Sequence, residues 1–263
     1  MTTRRPTVAV YKFSSCDGCQ LSLLNMEDEL LDLAGVVDFA FFLEATRASR
    51  PGPYDLALVE GSITTPHEAD RIKEVRRDAR ILVALGTCAT SGGVQALRNF
   101  SDAGAYASTV YAHPEYLEYL STSTPIAEHV KVDLELWGCP VSKGQVLEII
   151  IALLNGRNPI LPSYTVCLEC KRRGAVCVLV DQGIQCLGPV TRAGCGAICP
   201  SCGRGCYGCF GPSRGANIGS LSAILEKTEI RPWETARLLR GISGNAPAFR
   251  SAAASLLEEK GNA

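Results

Sequence analysis

Thr7-Val8-Ala9-Val10-Tyr11-Lys12-Phe13 runs directly into Ser14-Ser15-Cys16-Asp17-Gly18-Cys19. The first seven residues are short, mostly apolar and rich in strand-forming side chains, so they predict a strand. A C-x-x-C pair follows at once. Asp17 to Leu33 then carries Leu21, Leu24 and Leu31 at helical spacing, which predicts a helix. The opening of the chain therefore reads as strand, cysteine loop, helix.

The same rhythm continues outward. Val36 to Leu43 and Leu56 to Val59 predict two more strands, the latter ending in Glu60-Gly61-Ser62. Pro66 to Asp78 is polar and charge-rich, a helix with proline suited to its first turn. Ile81 to Leu85 is nearly all apolar, as a strand covered on both faces should be. Val130 to Trp137 alternates and predicts a fifth strand, and Val141 to Asn155 is a helix with Gly156 as its stop. Strand–helix alternation of this kind implies an α/β fold, a flavodoxin-like doubly wound parallel sheet.

Four cysteines fall at telling places on that sheet. Cys16 and Cys19 follow the first strand, Cys88 in Gly86-Thr87-Cys88 the fourth, and Cys139 in Gly138-Cys139-Pro140 the fifth. All lie beyond the carboxyl ends of parallel strands, where open α/β sheets bind their ligands. Gly18, Gly86 and Gly138 let the backbone turn tightly and approach a bulky group. The competing reading of Cys88 and Cys139 is as small buried core residues.

After Pro159 and Pro162 the character changes. Regular periodicity is lost between Thr165 and Gly219, where Gly, Pro and the other nine of the 13 cysteines crowd together. The expected organisation is a sheet domain over residues 1–160 and a small irregular, cysteine-rich domain over 161–263, the iron-binding one once its thiolates are counted. Such a segment needs a staple, and metal supplies one. The last residues are helical: Leu221 to Lys227, Pro232 to Leu239, and an Ala-rich amphipathic stretch from Ala246 to Glu259, all expected to pack on the parent domain or a partner.

Composition removes several functions. With 26 basic and 27 acidic residues the net charge is -1, and aromatics are 6%, so neither a nucleic-acid surface nor an anionic-membrane surface is indicated. No apolar run reaches the length of a bilayer span. Arg4-Arg5 is followed at once by Pro6 and a strand, not by a signal-peptide core, so a cytoplasmic location is expected. Disulfides are disfavoured there, and an odd cysteine count cannot pair completely. Twelve cysteines make three sets of four thiolates, the number a [4Fe–4S] cluster takes, and clusters in series move electrons. The pairs Cys167-x-x-Cys170 and Cys206-x-x-Cys209 also match a zinc ribbon, which would leave five of those nine idle. Gly203 to Gly208 spells G-x-G-x-x-G but follows no strand, so it carries no dinucleotide-binding argument. His67, His113 and His129 are scattered and read as surface or helix-end residues.

The motifs Ser15-Cys16-Asp17-Gly18-Cys19-Gln20, Val59-Glu60-Gly61-Ser62, Gly86-Thr87-Cys88, Gly138-Cys139-Pro140 and the run Cys186 to Cys195 together resemble the small subunits of [NiFe] hydrogenases. Cys167-Leu168-Glu169-Cys170, Cys195-Gly196-Ala197-Ile198-Cys199-Pro200 and Cys206-Tyr207-Gly208-Cys209 are most similar to the cytoplasmic, multimeric branch that includes the delta subunit of sulfhydrogenases. The likeness covers nearly the whole chain.

That resemblance implies a ligand assignment. Cys16, Cys19, Cys88 and Cys139 hold a proximal [4Fe–4S] cluster, Cys195, Cys199, Cys206 and Cys209 a medial one, and Cys167, Cys170, Cys177 and Cys186 a distal one. Cys202 is spare, or replaces Cys199. Periplasmic relatives have histidine at Cys167 and proline at Cys199; full thiolate ligation adds negative charge and implies low potentials.

The function implied is electron transfer, with no catalytic residue on this chain. Electrons pass between the nickel–iron centre of a large catalytic subunit and an FAD-bearing, NAD(P)-binding diaphorase subunit, with an additional iron–sulfur subunit as further partner. Glu60 reads as a strand-end residue bonding loop amides ahead of a proton-transfer role. Lys171-Arg172-Arg173 reads either as a docking face or as a solvated loop. Competing functions are a deazaflavin- or heterodisulfide-reductase-linked hydrogenase subunit, a complex I-type quinone-reductase subunit, and a zinc-stapled scaffold module.

Overall fold

In the computed structural model, which describes residues 4–258, the chain divides into two compact units, one ending at Pro159 and the next beginning at Ile160. The first is built on five parallel strands: β1 (Thr7–Lys12), β2 (Asp38–Phe42), β3 (Tyr54–Glu60), β4 (Ala79–Leu85) and β5 (Leu134–Leu136). Their order across the sheet is β2-β1-β3-β4-β5, all neighbours parallel. This is the flavodoxin-like doubly wound order. The central strands are buried because helices cover both faces, so β3 and β4 read as almost unbroken apolar runs.

Register aligns the strand ends. Lys12 stands opposite Glu60, Glu60 opposite Leu85, and Leu85 opposite Leu136. The carboxyl ends of four strands therefore finish level, and every loop that follows starts from one edge.

The helices of this unit are α1 (Gly18–Leu24), α2 (Asp28–Val36), α3 (Pro66–Asp78), α4 (Gly86–Ser91), α5 (Ala103–Val110) and α6 (Lys143–Leu154). Helix α3 starts where the sequence places it, because Thr65 and Glu68 form a reciprocal capping box and Pro66 occupies the first turn. The single helix expected over 17–33 is instead two. Glu27 adopts φ 51°, which ends the hydrogen-bond ladder, and Met26 turns into the core. The buried leucines are then Leu23 and Leu33, whereas Leu21 and Leu31 are 52% and 71% exposed.

The strand expected over Val130–Trp137 pairs only at Leu134–Leu136. The Asp133 backbone N–H donates to the Leu82 carbonyl at 2.9 Å, and its carboxylate accepts the Leu82 N–H at 2.8 Å. A side chain thus takes the ladder position an upstream residue would use, while Val130 and Val132 pack against the sheet core. Between β4 and β5 the sequence suggested nothing regular, yet α4, a 3-10 segment over Val94–Phe100 and α5 fill it. Asp102 caps α5 by accepting the N–H groups of Gly104 and Ala105.

The second unit holds α7 (Val166–Arg172), α8 (Val178–Gln182), α9 (Ile198–Ser201), α10 (Ile218–Glu226), α11 (Pro232–Leu239) and α12 (Pro247–Glu258). Glu259, included in the expected last helix, lies outside the described residues. The cysteine-rich segment is less irregular than its composition implies, since α7, α8 and α9 punctuate it. The last three helices supply the apolar cover that the segment lacks. Leu221, Leu225, Ala236, Leu239 and Phe249 form one buried cluster with Val166, Leu187, Val190, Cys186 and Cys206. These helices pack on their own domain.

Candidate iron–sulfur ligand sites

Beyond β1 the chain continues pairwise, with Phe13 N–H on the Glu60 carbonyl at 2.8 Å and Ser14 exchanging bonds with Ser62. This carries Cys16 and Cys19 past the sheet edge. Cys19, on α1, is buried, and its N–H donates to Glu60 Oε1 at 3.3 Å. Cys88 lies on α4 directly after β4, and its thiol donates to Gln95 Oε1 at 3.5 Å. The Thr87 N–H on the Gly138 carbonyl at 2.9 Å ties the Cys88 loop to the Cys139 loop.

Glycine is required where these thiols pack. A Cβ at Gly86 would stand 2.4 Å from Cys19 Sγ, and one at Gly93 would stand 2.5 Å from Cys88 Sγ. Both glycines also have positive φ. The sequence pointed to Gly86; Gly93 and Gln95 went unread, although the Gly92-Gly93 pair was a visible signal.

Three thiols of this first set shift in the same direction. Burial pushes Cys88 up to about 12, with the Cys139 and Cys16 thiols and Glu60 adding to it against the Gln95 bond. Burial likewise raises Cys19, helped by Glu60, Cys88 and Cys139, and raises Cys139, helped by Cys16 and Glu60. The four cysteines that follow β1, β4 and β5 are thus within electrostatic reach of one another. Cys19, Cys88 and Cys139 resist carrying negative charge, first because they are buried and then because their neighbours would carry it too. Four soft donors in that condition suit a group that brings its own positive charge, as iron does.

Glu60 is buried at the end of β3, accepting from Cys19 N–H and from Gln20 Nε2 at 2.9 Å. Burial raises its pKa while those two bonds oppose the rise. It binds a loop amide, as its place at a strand end implied.

In the second unit, burial pushes Cys167 up to about 11, with Cys186, Cys170 and Cys177 adding to it. Cys170 is raised by burial and then by Cys186, Cys177 and Cys195. The four cysteines of the third set therefore also lie within electrostatic reach of one another. Cys186 Sγ accepts from the N–H groups of Cys206 at 3.2 Å and Gly188 at 3.4 Å. Two backbone amides thus hold the Cys186 sulfur in place.

The second set is the least gathered. Burial raises Cys206 against the bond from the Gly208 N–H, with Cys186 and Cys209 in reach. Burial also raises Cys195, whose neighbours are the Ala197 and Ile198 amides and the Glu169 carboxylate. Cys199 is half-buried on α9, and Cys202 is exposed at its end. Among the described residues no three His, Cys, Asp or Glu side chains are grouped as a single-ion chelate.

Of Lys171-Arg172-Arg173, Arg172 bonds Tyr164 Oη at 2.9 Å and lies 4.9 Å over its ring, and Arg173 bonds the Gly196 carbonyl at 2.6 Å. Two of the three cations therefore tie loops of their own unit. His67 and His113 are exposed at helix starts, and half-buried His129 pairs with Thr124 Oγ1 at 2.7 Å. In the G-x-G-x-x-G stretch packing requires the middle glycine, because a Cβ at Gly205 would fall 1.7 Å from the Gln185 carbonyl oxygen, whereas Gly203 faces open space at positive φ.

A parallel sheet with thiols in reach of one another beyond its strand ends is followed in the chain by a helix-covered, cysteine-rich unit. The family profile described as NADH ubiquinone oxidoreductase, 20 Kd subunit, matches residues 16–153, and the chain belongs to that family as a small hydrogenase subunit. It is 40% identical over 234 residues to sulfhydrogenase 2 subunit delta of Pyrococcus furiosus, covering 89% of this chain and 97% of the relative. It is 34% identical over 256 residues to a subunit of the F420-non-reducing vhu hydrogenase of Methanocaldococcus jannaschii, covering 85% of this chain and 88% of the relative. Among solved structures, a chain of an NAD+-reducing [NiFe]-hydrogenase in the H2-reduced state is 31% identical with a TM-score of 0.56, covering 60% of this chain and 96% of that one.

Proposed function

We propose that this chain carries electrons between the nickel–iron site of a large subunit and a flavin- and NAD(P)-binding diaphorase module, through three [4Fe–4S] clusters. The observation that carries this is the mutual reach of Cys16, Cys19, Cys88 and Cys139 beyond the ends of β1, β4 and β5. Cys167, Cys170, Cys177 and Cys186 form the distal site, and Cys195, Cys199, Cys206 and Cys209 the medial one. Each cluster, when bound, accepts and releases one electron.

The chain's residues hold and insulate these sites. Gly86 and Gly93 leave room for the thiols, Glu60 and Gln95 fix the loops, and the helices α10, α11 and α12 keep water from Cys186 and Cys206. The large subunit supplies the hydrogen chemistry, and an additional iron–sulfur subunit extends the path to the diaphorase. The complex works in the cytoplasm; among the described residues no helix is long and apolar enough to cross a membrane.

The likeness to the NAD+-reducing enzyme supports NAD(P) as terminal acceptor. The likeness to an F420-non-reducing hydrogenase speaks against F420 as acceptor, and the family resemblance keeps a second reading, with the same wire feeding a heterodisulfide-reductase partner. Iron, acid-labile sulfide and zinc are measured per chain on the anaerobically purified complex, with EPR after reduction. About twelve irons on this chain are expected for three cubanes. About four irons with one zinc would overturn the wire. Hydrogen-dependent reduction of NAD(P)+ by the same complex separates the two acceptors.

A further inference from the structure

Helix α7 carries Cys167 and Cys170 of the third set, and also Glu169 and, at its C-terminal cap one turn on, Arg173. Glu169 Oε1 accepts the N–H of Gly194 at 2.9 Å. Arg173 Nη1 donates to the carbonyl of Gly196 at 2.6 Å. The residue between those glycines is Cys195, assigned to the other set, and its Sγ lies 3.9 Å from Glu169 Oε2. One helix thus grips the Cys195 turn on both sides.

We propose that Glu169 and Arg173 are positioning residues, a two-point clamp by which the helix bearing distal ligands fixes the place and the electrostatic surroundings of Cys195 in the medial site. The proposal rests on the three-cluster reading.

Gly194 and Gly196 have φ 142° and 67°, so the turn is built from two residues with no side chain to anchor it. It is anchored from outside instead, by a carboxylate on its N–H and a guanidinium on its C=O, both charge-assisted bonds. Arg173, at the C-terminal cap of α7, also suits the helix dipole. Electron exchange between two sites falls steeply with their separation, so a brace between their ligands protects the rate. Glu169 also places negative charge beside Cys195, and groups around the ligands set a cluster's potential.

The test uses the purified complex and compares wild type with Glu169→Gln, Arg173→Lys and Arg173→Ala. The readouts are iron content, EPR-monitored redox titration, and spin–spin broadening between the reduced medial and distal clusters. Glu169→Gln keeps an acceptor for the Gly194 N–H and removes the charge. It is expected to keep its iron and to raise the medial potential, by about 59 mV for a tenfold change in the one-electron ratio. Arg173→Ala is expected to alter the spin–spin broadening, and Arg173→Lys to restore it in part. Full iron with unchanged potential and unchanged broadening in all three variants overturns the clamp. Lower thermal midpoints with both signatures unmoved also overturn it, leaving a merely structural role. Failure of the three-cluster reading is separate, since it appears as low iron in the wild type.

Discussion

Replacing Gly86 by alanine tests whether the first cysteine set is where the structure puts it. Gly86 begins α4 at φ 86°, and the added Cβ would lie 2.4 Å from Cys19 Sγ. Positive φ costs an alanine about 1–2 kcal/mol. Overpacking a tight site adds about 1–3 kcal/mol, for a total of roughly 2–5 kcal/mol. The backbone cannot yield easily, because β4 is paired on both sides and Thr87 N–H holds the Gly138 carbonyl at 2.9 Å. The Cys19 thiol must move instead. Gly156→Ala is the control: its φ is 67° with no atom within 4 Å of the added Cβ, so only strain of about 1–2 kcal/mol remains. Iron and sulfide per chain are measured with the EPR of each reduced cluster. Gly86→Ala is expected to lose about four of roughly twelve irons, and Gly156→Ala none. Full iron and an unchanged first-set signal in Gly86→Ala would refute the reasoning. Equal iron loss in both variants would refute it too, since strain alone would then suffice.

Three other substitutions probe the frame. Asp55 is held below the usual carboxylate range by the Thr7 N–H, against burial, with the Thr7 hydroxyl and Arg4 assisting. Its contribution is therefore present above the unfolded pKa of about 3.9 and lost as pH falls through the folded value. Asp55→Asn should cost about 1 kcal/mol at pH 7, with a gap from wild type that narrows as pH falls below about 3.9; thermal midpoints across that range check this, and a gap that widens in acid refutes it. Gly205→Ala would place Cβ 1.7 Å from the Gln185 carbonyl oxygen beside Cys186 and Cys206. Iron loss confined to the second unit is expected by cluster-resolved EPR, and wild-type spectra would contradict it. Phe249→Ala should cost about 3–5 kcal/mol by opening the buried cluster that includes Cys206, read as a lowered unfolding midpoint with the first-set EPR signal retained.

Much of the sheet unit was legible because its signals are local. Short apolar runs bounded by turn residues read as strands covered on both faces, and Thr65, Pro66 and Glu68 declare a helix start within four residues. The convergence of Cys16, Cys19, Cys88 and Cys139 followed from strand order alone, since loops after parallel strands share one edge. The break after Leu24 was not legible. Leucine spacing continues through it, while the fold buries Met26, leaves Leu31 exposed and turns the backbone at Glu27. The shortness of β5 was hidden for a similar reason: the Asp133 side chain occupies a backbone position, and alternation does not record that.

The sequence by itself determined the donor inventory, the parallel sheet and the loops that carry the first four thiols. These depend on residue type and near-neighbour order, which the chain states outright. Only the tertiary structure decided that Arg173 bonds the Gly196 carbonyl beside Cys195, that Cys186 lies beneath the Cys206 amide, and that the last three helices roof the cysteine segment. Each of these joins residues about twenty or more positions apart. Burial and proximity at that range come from how whole elements pack, which no local pattern of side chains encodes.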